Sequence, residues 1–600
     1  MSRPPPGPAL LLALSLGLAS GAVEVALRTS PQLGLSSAAL WTWYGASLGI
    51  SAAFSLIVAI VCLAAGRAAH AGPLMALLWV HAALAWRFDV VVNAFAREAR
   101  VWAPLLALSA GALLGALRLE GVVHRRLRGF GALALLALLS GLAAGPLRTA
   151  PAPLAAKPSA AEARPNVVLV TIDTARADRF SAYGAQNPTP TLDAVAAGGA
   201  LFEAAFATAP LTQPSHLAVL TGNPPYVTGV VTNGTELGPQ PAMLPAALRA
   251  SGYRTAAFVA GFPLHGRFGW GQAFDVYDDD FGAVAGLHRL SLVKALDQVL
   301  LPSHALRERR GDLVLNRALP WLEANAGAPF FLWVHLFDVH GPYEAPDHPF
   351  DPPTDGPPLD LPPYWPPRDR AITSTDWLIS AYDAELRYAD AQVGRLVDRL
   401  ASLGLSDRTL LVITADHGES LTEHGYLFDH GDDLFDPSLR VPLVMRFPGR
   451  ISAGARPACQ VSNEDVTPTV LSLLGVEDGL SRVGADRSAA LQGGPCVEAP
   501  LIATTVGARF TETPPIDHAL RAEGHKLISL APRADQAAGT EQLYDLSADP
   551  GEIRPIPEGQ GPAAAMRAQL DAALQGGGQV QEAQSDMETV EALRALGYTE

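Results

Sequence analysis

The stretch Asn166-Val-Val-Leu-Val-Thr-Ile172 is continuously apolar and rich in β-branched residues. Runs of this length and composition are typical of strands that are buried on both faces of a parallel sheet. Helical patterns separate it from later runs of the same kind, most clearly at 377–403. The alternation predicts an α/β fold with a doubly wound sheet flanked by helices. The later runs are Thr255–Val259, Phe330–His335, Thr409–Thr414 and Arg440–Phe447.

Polar residues follow two of these predicted strands at the point where each strand ends. Asp173 follows the first run, and Asp416 and His417 follow the fourth. Ligands of doubly wound sheets bind at the carboxyl ends of the strands, and carboxylates with an imidazole suit a divalent cation. We therefore predict a site for one divalent metal ion, which is Ca, Mn, Mg or Zn. The alternatives are a turn cap for Asp173 and an ordinary polar loop for Asp416 and His417.

A third segment, Pro210-Leu-Thr-Gln-Pro-Ser-His-Leu-Ala-Val-Leu-Thr-Gly222, contains a hydroxyl residue before an apolar helical pattern. Pro214 can open this helix, which places Thr212 at its N-terminus. The unpaired N–H groups and the dipole of a helix N-terminus favour a bound anion and an anionic oxygen. A nearby cation would lower the pKa of the hydroxyl, so Thr212 is predicted to be a nucleophile.

The three motifs occur in the order found in the sulfatase family of the alkaline phosphatase superfamily, which the chain resembles from about residue 166 onwards. The segments His335-Leu-Phe-Asp-Val-His-Gly-Pro342 and Leu439-Arg-Val-Pro-Leu443 are also similar to family motifs. The resemblance implies an alkaline phosphatase/sulfatase-like fold. It implies that His340 and His430 contact the substrate oxyanion or protonate the leaving group, unless they are ordinary loop histidines. His335 lies in a predicted strand and is expected to be structural. The implied metal ligands are Asp173, Thr212, Asp416 and His417.

The chain departs from the sulfatase pattern at several positions. Thr212 stands where sulfatases have a Cys or Ser that is oxidised to formylglycine, and His216 replaces the Arg that follows. Thr174 replaces a second Asp, and the expected Lys-x-His element is not evident, although His265 and Arg267 lie in its region. Membrane-anchored phosphoethanolamine and phosphoglycerol transferases of the superfamily use Thr as nucleophile. The resemblance therefore favours cleavage of a phosphoester through a covalent Thr intermediate. The alternatives are a sulfatase that works without formylglycine and an inactive binding protein.

Charge divides the chain near residue 150. The first 150 residues contain 11 Lys and Arg against 4 Asp and Glu, which leaves 32 basic and 55 acidic residues for the remainder. The acidic remainder gives no support for a nucleic-acid partner, which would require a basic face. The resemblance to the sulfatases and to the membrane-anchored transferases implies instead an anionic ester, from a lipid head group or a cell-envelope glycan, as the substrate.

The first part contains five apolar blocks near the length that crosses a bilayer. The first block could instead be a signal peptide, and the third an interfacial helix. The basic cluster at 118–128 between the last two blocks is predicted to be cytoplasmic. We therefore expect a multi-pass protein of the cell (inner) membrane with an extracytoplasmic, periplasmic catalytic domain. The blocks are Pro8–Leu27, Ala46–Gly66, Pro73–Phe88, Trp102–Leu117 and Gly129–Leu147.

The predicted organisation has four parts. A membrane domain of about five helices occupies 1–147, a Pro/Ala-rich linker 148–165, the catalytic domain 166–530, and a C-terminal sulfatase-type subdomain and tail 531–600. Cys459 and Cys496 could form a disulfide in an oxidising compartment, but their spacing does not decide this. The Pro-rich stretch Asp347–Pro367 is either a surface excursion or a lid over the substrate.

Overall fold

The computed structural model describes residues 164–238, 242–281, 308–506 (except 363, 366 and 367), 515–533, 539–581, 589 and 593. The predicted membrane domain and nearly all of the linker lie outside these residues. None of the helices in the described part of the chain has both the length and the apolar character that a bilayer-spanning segment needs.

A seven-stranded sheet forms the centre of the catalytic domain, in the order β2-β8-β7-β1-β6-β4-β5. The structure contains all five predicted strands, and the first matches its predicted bounds residue for residue. The strands of this sheet are β1 (Asn166–Ile172), β2 (Ala200–Leu201), β4 (Arg254–Phe258), β5 (Val276–Asp278), β6 (Phe330–Leu336), β7 (Thr409–Ala415) and β8 (Leu443–Arg446). The remaining described strands are β3 (Ala204–Phe206), β9 (Gln460–Ser462), β10 (Leu501–Thr505), β11 (Asp517–Ala522), β12 (His525–Leu530) and β13 (Thr540–Asp545).

The register of the central strands brings their carboxyl ends together. Ile172 at the end of β1 is paired with Ala415 of β7 on one side and with Leu336 of β6 on the other, all in parallel. The residues that come next in the chain therefore emerge at one edge of the sheet. All residues of β1, β6 and β7 are buried, as expected for strands covered by helices on both faces.

One predicted strand runs in the opposite direction from its neighbours. β8 pairs antiparallel with β7 and β2, whereas β1, β4, β5, β6 and β7 are parallel. The connection from β7 to β8 contains a 3-10 turn (Glu423–Gly425) and the one-turn helix α7 (Asp436–Leu439), so it has no long crossover helix to carry the chain back along the sheet. A mixed sheet with an antiparallel edge is common in such folds.

The longest described helix, α6 (Thr375–Ser402), braces the sheet edge that bears the polar residues. Ser374 caps it by accepting a hydrogen bond from the Trp377 N–H at 3.2 Å. On its buried face, the Tyr382 hydroxyl donates to the Thr174 carbonyl at 2.8 Å and accepts from the Arg176 N–H at 3.0 Å. The other described α-helices are α1 (Pro190–Ala197), α2 (Thr212–Thr221), α3 (Pro225–Thr228), α4 (Leu244–Ala250), α5 (Gly311–Asn325), α8 (Val466–Leu474), α9 (Ser488–Leu491) and α10 (Ala563–Leu574).

A four-stranded antiparallel sheet, β10-β11-β12-β13, forms a second layer with α10. The domain boundary predicted at residue 530 falls within this sheet, between its last two strands. Lys526 of β12 is buried and makes ion pairs with Asp436 of α7 at 2.9 Å and with Glu552 at 2.7 Å. These ion pairs fix α7, against which the loop after β7 packs.

Cys459 and Cys496 form a disulfide, with their Cα atoms 5.7 Å apart and a separation of 37 positions in sequence. The structure thus decides the pairing that the spacing left open.

Replacing both Cys459 and Cys496 with serine is expected to lower the free energy of unfolding by about 2–4 kcal/mol, because the bond restricts the unfolded chain. Urea titrations of the variant and the oxidised parent would measure this loss. A Cys62→Ser variant is the matched control and is expected to retain the disulfide. Equal stabilities of the double variant and the parent would contradict a bonded pair.

Candidate active site

Three side chains that the sequence predicted as metal ligands lie together at the carboxyl edge of the central sheet. Asp173 follows β1, and Asp416 and His417 follow β7. One ligand atom from each residue lies within 4.8 Å of the others, and all three residues are fully buried. His417 Nε2 is 3.5 Å from Asp416 Oδ2 and 3.9 Å from Asp173 Oδ1.

The protonation state of the histidine in this group suits the binding of a cation. His417 Nδ1 lies 2.9 Å from the Gly418 carbonyl oxygen, which can only accept, so Nδ1 carries the proton and Nε2 has a lone pair. That lone pair faces two carboxylates. Three buried atoms here make no hydrogen bond within the described part of the chain: Asp173 Oδ1, Asp416 Oδ2 and His417 Nε2. Buried acceptors without donors are costly, and a divalent cation would satisfy all of them at once.

The electrostatics of the group agree with this assignment. Burial raises the pKa of Asp173 well above its usual value, and the Glu419 charge adds to the shift. The pKa of Asp416 is raised by burial and by Asp173, and burial lowers the pKa of His417. The two carboxyl shifts oppose the ionised forms that bind a metal, and a bound divalent cation would reverse them, whereas the His417 shift favours the neutral ring that can ligate. The site is thus built for a positive charge.

Thr212 is the first residue of α2 and is fully buried. Its side chain hydrogen-bonds the carboxylate of Asp173, which acts to lower the pKa of that acid. The next residue, Gln213, donates its backbone N–H to Asn233 Oδ1 at 2.7 Å, and its side-chain Oε1 accepts from the Gly234 N–H at 2.7 Å. The start of α2 is therefore held by the 233–235 loop, with the Thr212 hydroxyl beside a metal ligand.

His216, which stands in place of the family's Arg, braces the same helix. Its Nδ1 donates to the Thr212 carbonyl at 2.8 Å, and its Nε2 accepts from the Thr171 hydroxyl at 3.0 Å. Thr171 Oγ1 in turn accepts from the Trp333 indole N–H at 2.9 Å. Burial lowers the pKa of His216 well below its usual value, so the ring is neutral. A neutral histidine that holds the start of this helix thus occupies the position at which the family has a positively charged Arg.

His335, expected from its strand position to be structural, contacts Asp173, one of the predicted metal ligands. The Ala260 N–H donates to His335 Nδ1 at 3.2 Å, so the neutral ring carries its proton on Nε2. Nε2 then donates to Asp173 Oδ2, also at 3.2 Å. Burial lowers the pKa of His335 to about 3, which keeps the ring neutral. His335 is therefore a positioning residue that orients Asp173 and leaves Oδ1 without a hydrogen bond among the described residues.

A His335→Phe variant is expected to bind the divalent ion about 10–100-fold more weakly, because the orienting bond to Asp173 is lost. Titration of the metal-free protein with Mn²⁺ or Ca²⁺ would measure the affinity. His518→Phe, which changes a histidine of the second sheet, is the control and is expected to bind as the parent does. Unchanged affinity in His335→Phe would contradict the positioning role.

The two histidines predicted to contact substrate lie next to the ligand set. The His430 ring centroid is 4.6 Å from that of His417 and 4.9 Å from that of His340. His340 stacks on Phe337 at 4.4 Å, and its Nδ1 donates to the Gly341 carbonyl at 2.7 Å. Burial lowers the pKa of His340, so it becomes a donor to an ester oxygen only when an arriving anion favours the protonated ring.

Sequence reasoning missed two buried residues beside these groups. Glu419 is fully buried, and its two carboxylate oxygens contact His430 and Tyr343. Burial raises the pKa of Glu419 to about 8. The Tyr343 hydroxyl acts against this shift, and a divalent cation bound by the neighbouring ligand set would do the same. Asn233 Nδ2 is buried and donates no hydrogen bond among the described residues. Glu419 ends the Asp-His-Gly-Glu segment that begins at Asp416, but the segment alone assigns it no role, and a single Asn in a loop gives no sequence signal.

The remaining residues and segments considered in the sequence lie farther from the ligand set, or have a role other than metal or substrate binding. Thr174, in place of a second Asp, has a positive φ of 52°, and its N–H donates to Asp416 Oδ1 at 3.3 Å. His265 Nδ1 lies 3.4 Å from Asp279 and caps a short turn, and it has no described contact with the ligand set. The Pro-rich stretch returns to the site through Trp365, which is buried against Tyr343 and Phe428.

Comparisons with known proteins give the same picture. The family model described as Sulfatase matches residues 165–476. The choline-sulfatase of Rhizobium meliloti (strain 1021) is 27% identical over 441 residues, which cover 66% of this chain and 83% of that protein. The N-acetylgalactosamine-6-sulfatase of Sus scrofa is 26% identical, over 56% and 68% of the two chains. The solved phosphonate monoester hydrolase of Agrobacterium radiobacter is similar with a TM-score of 0.53 and 22% identity, over 69% and 95%.

A buried hydroxyl beside three potential metal ligands, at the carboxyl edge of a doubly wound sheet, suits an enzyme that acts on anionic esters. The matched relatives are ester hydrolases of one superfamily. The matched model spans more than half of the chain, and the chain belongs to the sulfatase family of the alkaline phosphatase superfamily. The family is metal-dependent, in agreement with the ligand set at Asp173, Asp416 and His417.

Proposed function

We propose that the protein is a membrane-anchored, metal-dependent hydrolase or transferase that cleaves a phosphoester through a covalent intermediate on Thr212. The observation that carries this proposal is the buried Thr212 hydroxyl, which begins α2 and hydrogen-bonds the metal ligand Asp173. The helix N-terminus favours both an anionic nucleophile and the charged oxygens of an ester.

The choice of phosphorus over sulfur rests on the nucleophile. Thr212 cannot be oxidised to formylglycine, and a sulfate ester of Thr lacks the elimination route that an aldehyde hydrate provides. A phosphorus ester of Thr is released by attack of water or of an alcohol at phosphorus, which needs no such route. The matched sulfatases support a second candidate, sulfate-ester hydrolysis without formylglycine.

The reaction is proposed to proceed in two steps. The Thr212 oxygen forms a bond to phosphorus and gives up its hydroxyl proton while the bond from phosphorus to the leaving oxygen breaks, and the leaving oxygen takes up that proton. An attacking hydroxyl then forms a bond to phosphorus, the bond to Thr212 breaks, and His430 takes the proton of the attacking hydroxyl. Water as the attacking group gives hydrolysis, and an alcohol gives transfer. A divalent cation held by Asp173, Asp416 and His417 would lower the pKa of the Thr212 hydroxyl and offset the charge on the ester.

We propose a substrate at the membrane surface, either a lipid head group or an ester on a cell-envelope glycan. Three features support this substrate: the apolar blocks before residue 147, the basic cluster at 118–128, and the disulfide, which suits an oxidising compartment. The catalytic domain would then face the periplasm. Added protease should degrade it in spheroplasts but not in intact cells, and protection in spheroplasts would contradict this orientation.

A panel of aryl esters tests the proposed chemistry. It contains a phosphate monoester, a phosphodiester, a phosphonate monoester and a sulfate ester with the same leaving group, each assayed with Mn, Zn, Mg and Ca. We expect kcat/KM to be highest for a singly charged phosphorus ester and at least about 100-fold lower for the sulfate ester, a difference of about 2.7 kcal/mol. The reverse order would favour the sulfatase alternative. Absence of turnover and of metal binding would favour an inactive binding protein.

A further inference from the structure

We propose that Glu419 is a positioning residue that holds His430 in the form able to take a proton from the attacking hydroxyl. This inference rests on the function proposed above and adds to it the residue that prepares the second step.

The contacts of Glu419 define an oriented chain of three side chains. The Tyr343 hydroxyl donates to Glu419 Oε2 at 2.5 Å, and His430 Nδ1 lies 3.4 Å from Glu419 Oε1. All three residues are buried, and the His430 ring lies against His417 at 4.6 Å between centroids. Hydrogen bonds of catalytic groups are often long before substrate binds, so a 3.4 Å contact is suited to shorten during the reaction.

The chain is held in place from both ends. The ring of Tyr343 packs edge-on against Trp365 at 5.4 Å and against Tyr382 at 5.5 Å. The Glu419 carbonyl accepts from Arg176 Nη1 at 3.2 Å. With Tyr343 fixed by aromatic packing, its hydroxyl holds Oε2, and only Oε1 remains for His430. The carboxylate therefore sets the angle of the imidazole ring.

The contact also sets the tautomer of His430. The ionised form of Glu419 accepts at Oε1, so with that form His430 donates from Nδ1, and the lone pair of the neutral ring is on Nε2. In the second step the water oxygen forms a bond to phosphorus, the bond from phosphorus to Thr212 breaks, and a water proton moves to His430 Nε2. The carboxylate then stabilises the imidazolium until it passes the proton on and Thr212 regains its hydroxyl. The same arrangement of carboxylate and imidazole serves other covalent hydrolases.

Pre-steady-state kinetics of the full-length, metal-loaded protein with a 4-nitrophenyl phosphonate monoester test this role. The activated leaving group needs little help in the first step, so a defect in the second step appears as a burst. In Glu419→Gln we expect kcat to fall about 10²–10⁴-fold. One nitrophenolate should be released rapidly per site, and a phosphonyl adduct should accumulate on Thr212. KM should fall together with kcat, because the adduct becomes the resting state. His430→Ala should show the same burst.

Two further variants separate positioning from general damage. Glu423→Gln changes an acid of the same loop that pairs with Arg176 at 2.9 Å, and it should show no burst. Tyr343→Phe keeps the aromatic packing and removes only the bond to Glu419, so it should show a smaller defect of the same kind. If Glu419→Gln fails to fold, the burst in Tyr343→Phe decides the question.

The outcomes distinguish this inference from the proposed function. A burst and adduct in His430→Ala, with neither in Glu419→Gln or Tyr343→Phe, would overturn the role of Glu419 and leave the covalent mechanism standing. Turnover by the parent, with no adduct on Thr212 in any variant, would overturn the proposed function itself.

Discussion

A Thr212→Val variant is expected to lose turnover by at least about 10³-fold, because valine has the shape of threonine but no oxygen to attack phosphorus. Thr212 is buried at the start of α2, where a polar substitute would also disturb the packing, so valine is the cleanest change. Steady-state kinetics with the best ester of the panel, together with metal content, would measure the effect.

Thr212→Ser is the matched control for this prediction. Serine keeps the hydroxyl and is expected to retain activity well above that of the valine variant. Both variants should bind metal, because three of the four implied ligands, Asp173, Asp416 and His417, remain in Thr212→Val and all four side-chain ligand atoms remain in Thr212→Ser. Turnover by Thr212→Val at the rate of the parent would remove Thr212 from the mechanism and leave direct attack by water as the reaction.

An Asp416→Asn variant is expected to lose both tight metal binding and turnover, with affinity for the cation more than about 100-fold weaker. Asn keeps an oxygen for the Thr174 and His417 N–H groups, which Asp416 Oδ1 accepts at 3.3 and 2.9 Å. It replaces Oδ2, the buried oxygen that makes no hydrogen bond among the described residues, with a neutral donor.

Thermal unfolding gives a readout of this variant that does not depend on activity. A cation at 100 times its dissociation constant stabilises the parent by about 2.7 kcal/mol, and this gain should vanish in Asp416→Asn. Without metal, the variant should be no less stable than the parent, because the repulsion between Asp173 and Asp416 is relieved. An unchanged response to metal would contradict the ligand assignment.

The sequence predicted the parts of the fold that follow a strong periodicity. The β1 segment is apolar and rich in β-branched residues along its seven positions, and its observed bounds match the predicted bounds. The ligands Asp173, Asp416 and His417 could be predicted because a parallel sheet brings its strand ends together. The direction of β8 could not be predicted, because an apolar run has the same composition in either direction, and the antiparallel pairing follows from the path of the connection through α7, which has no long crossover helix.

The residues that orient the predicted ligands and histidines were harder to predict, because their contacts depend on strand register and on the packing of loops. His335 lies inside β6, and its contact with Asp173 depends on the register of β6 against β1. Glu419 and Asn233 lie in loops whose paths are set by packing against distant elements. Gly418, for example, approaches the Pro437 carbonyl so closely that a Cβ atom would lie 2.1 Å from it. Such close approaches depend on three-dimensional packing and leave no pattern in a single sequence.

Intact-mass analysis of the metal-loaded His430→Ala protein, quenched in acid during turnover of an aryl phosphonate monoester, tests the central claim most directly. A covalent intermediate on Thr212 predicts a mass gain of one phosphonyl group per chain. Peptide mapping should place that group on the peptide that contains Thr212, and Thr212→Val should show no gain. Release of the aryl alcohol without any adduct, or an adduct on a different residue, would contradict the claim.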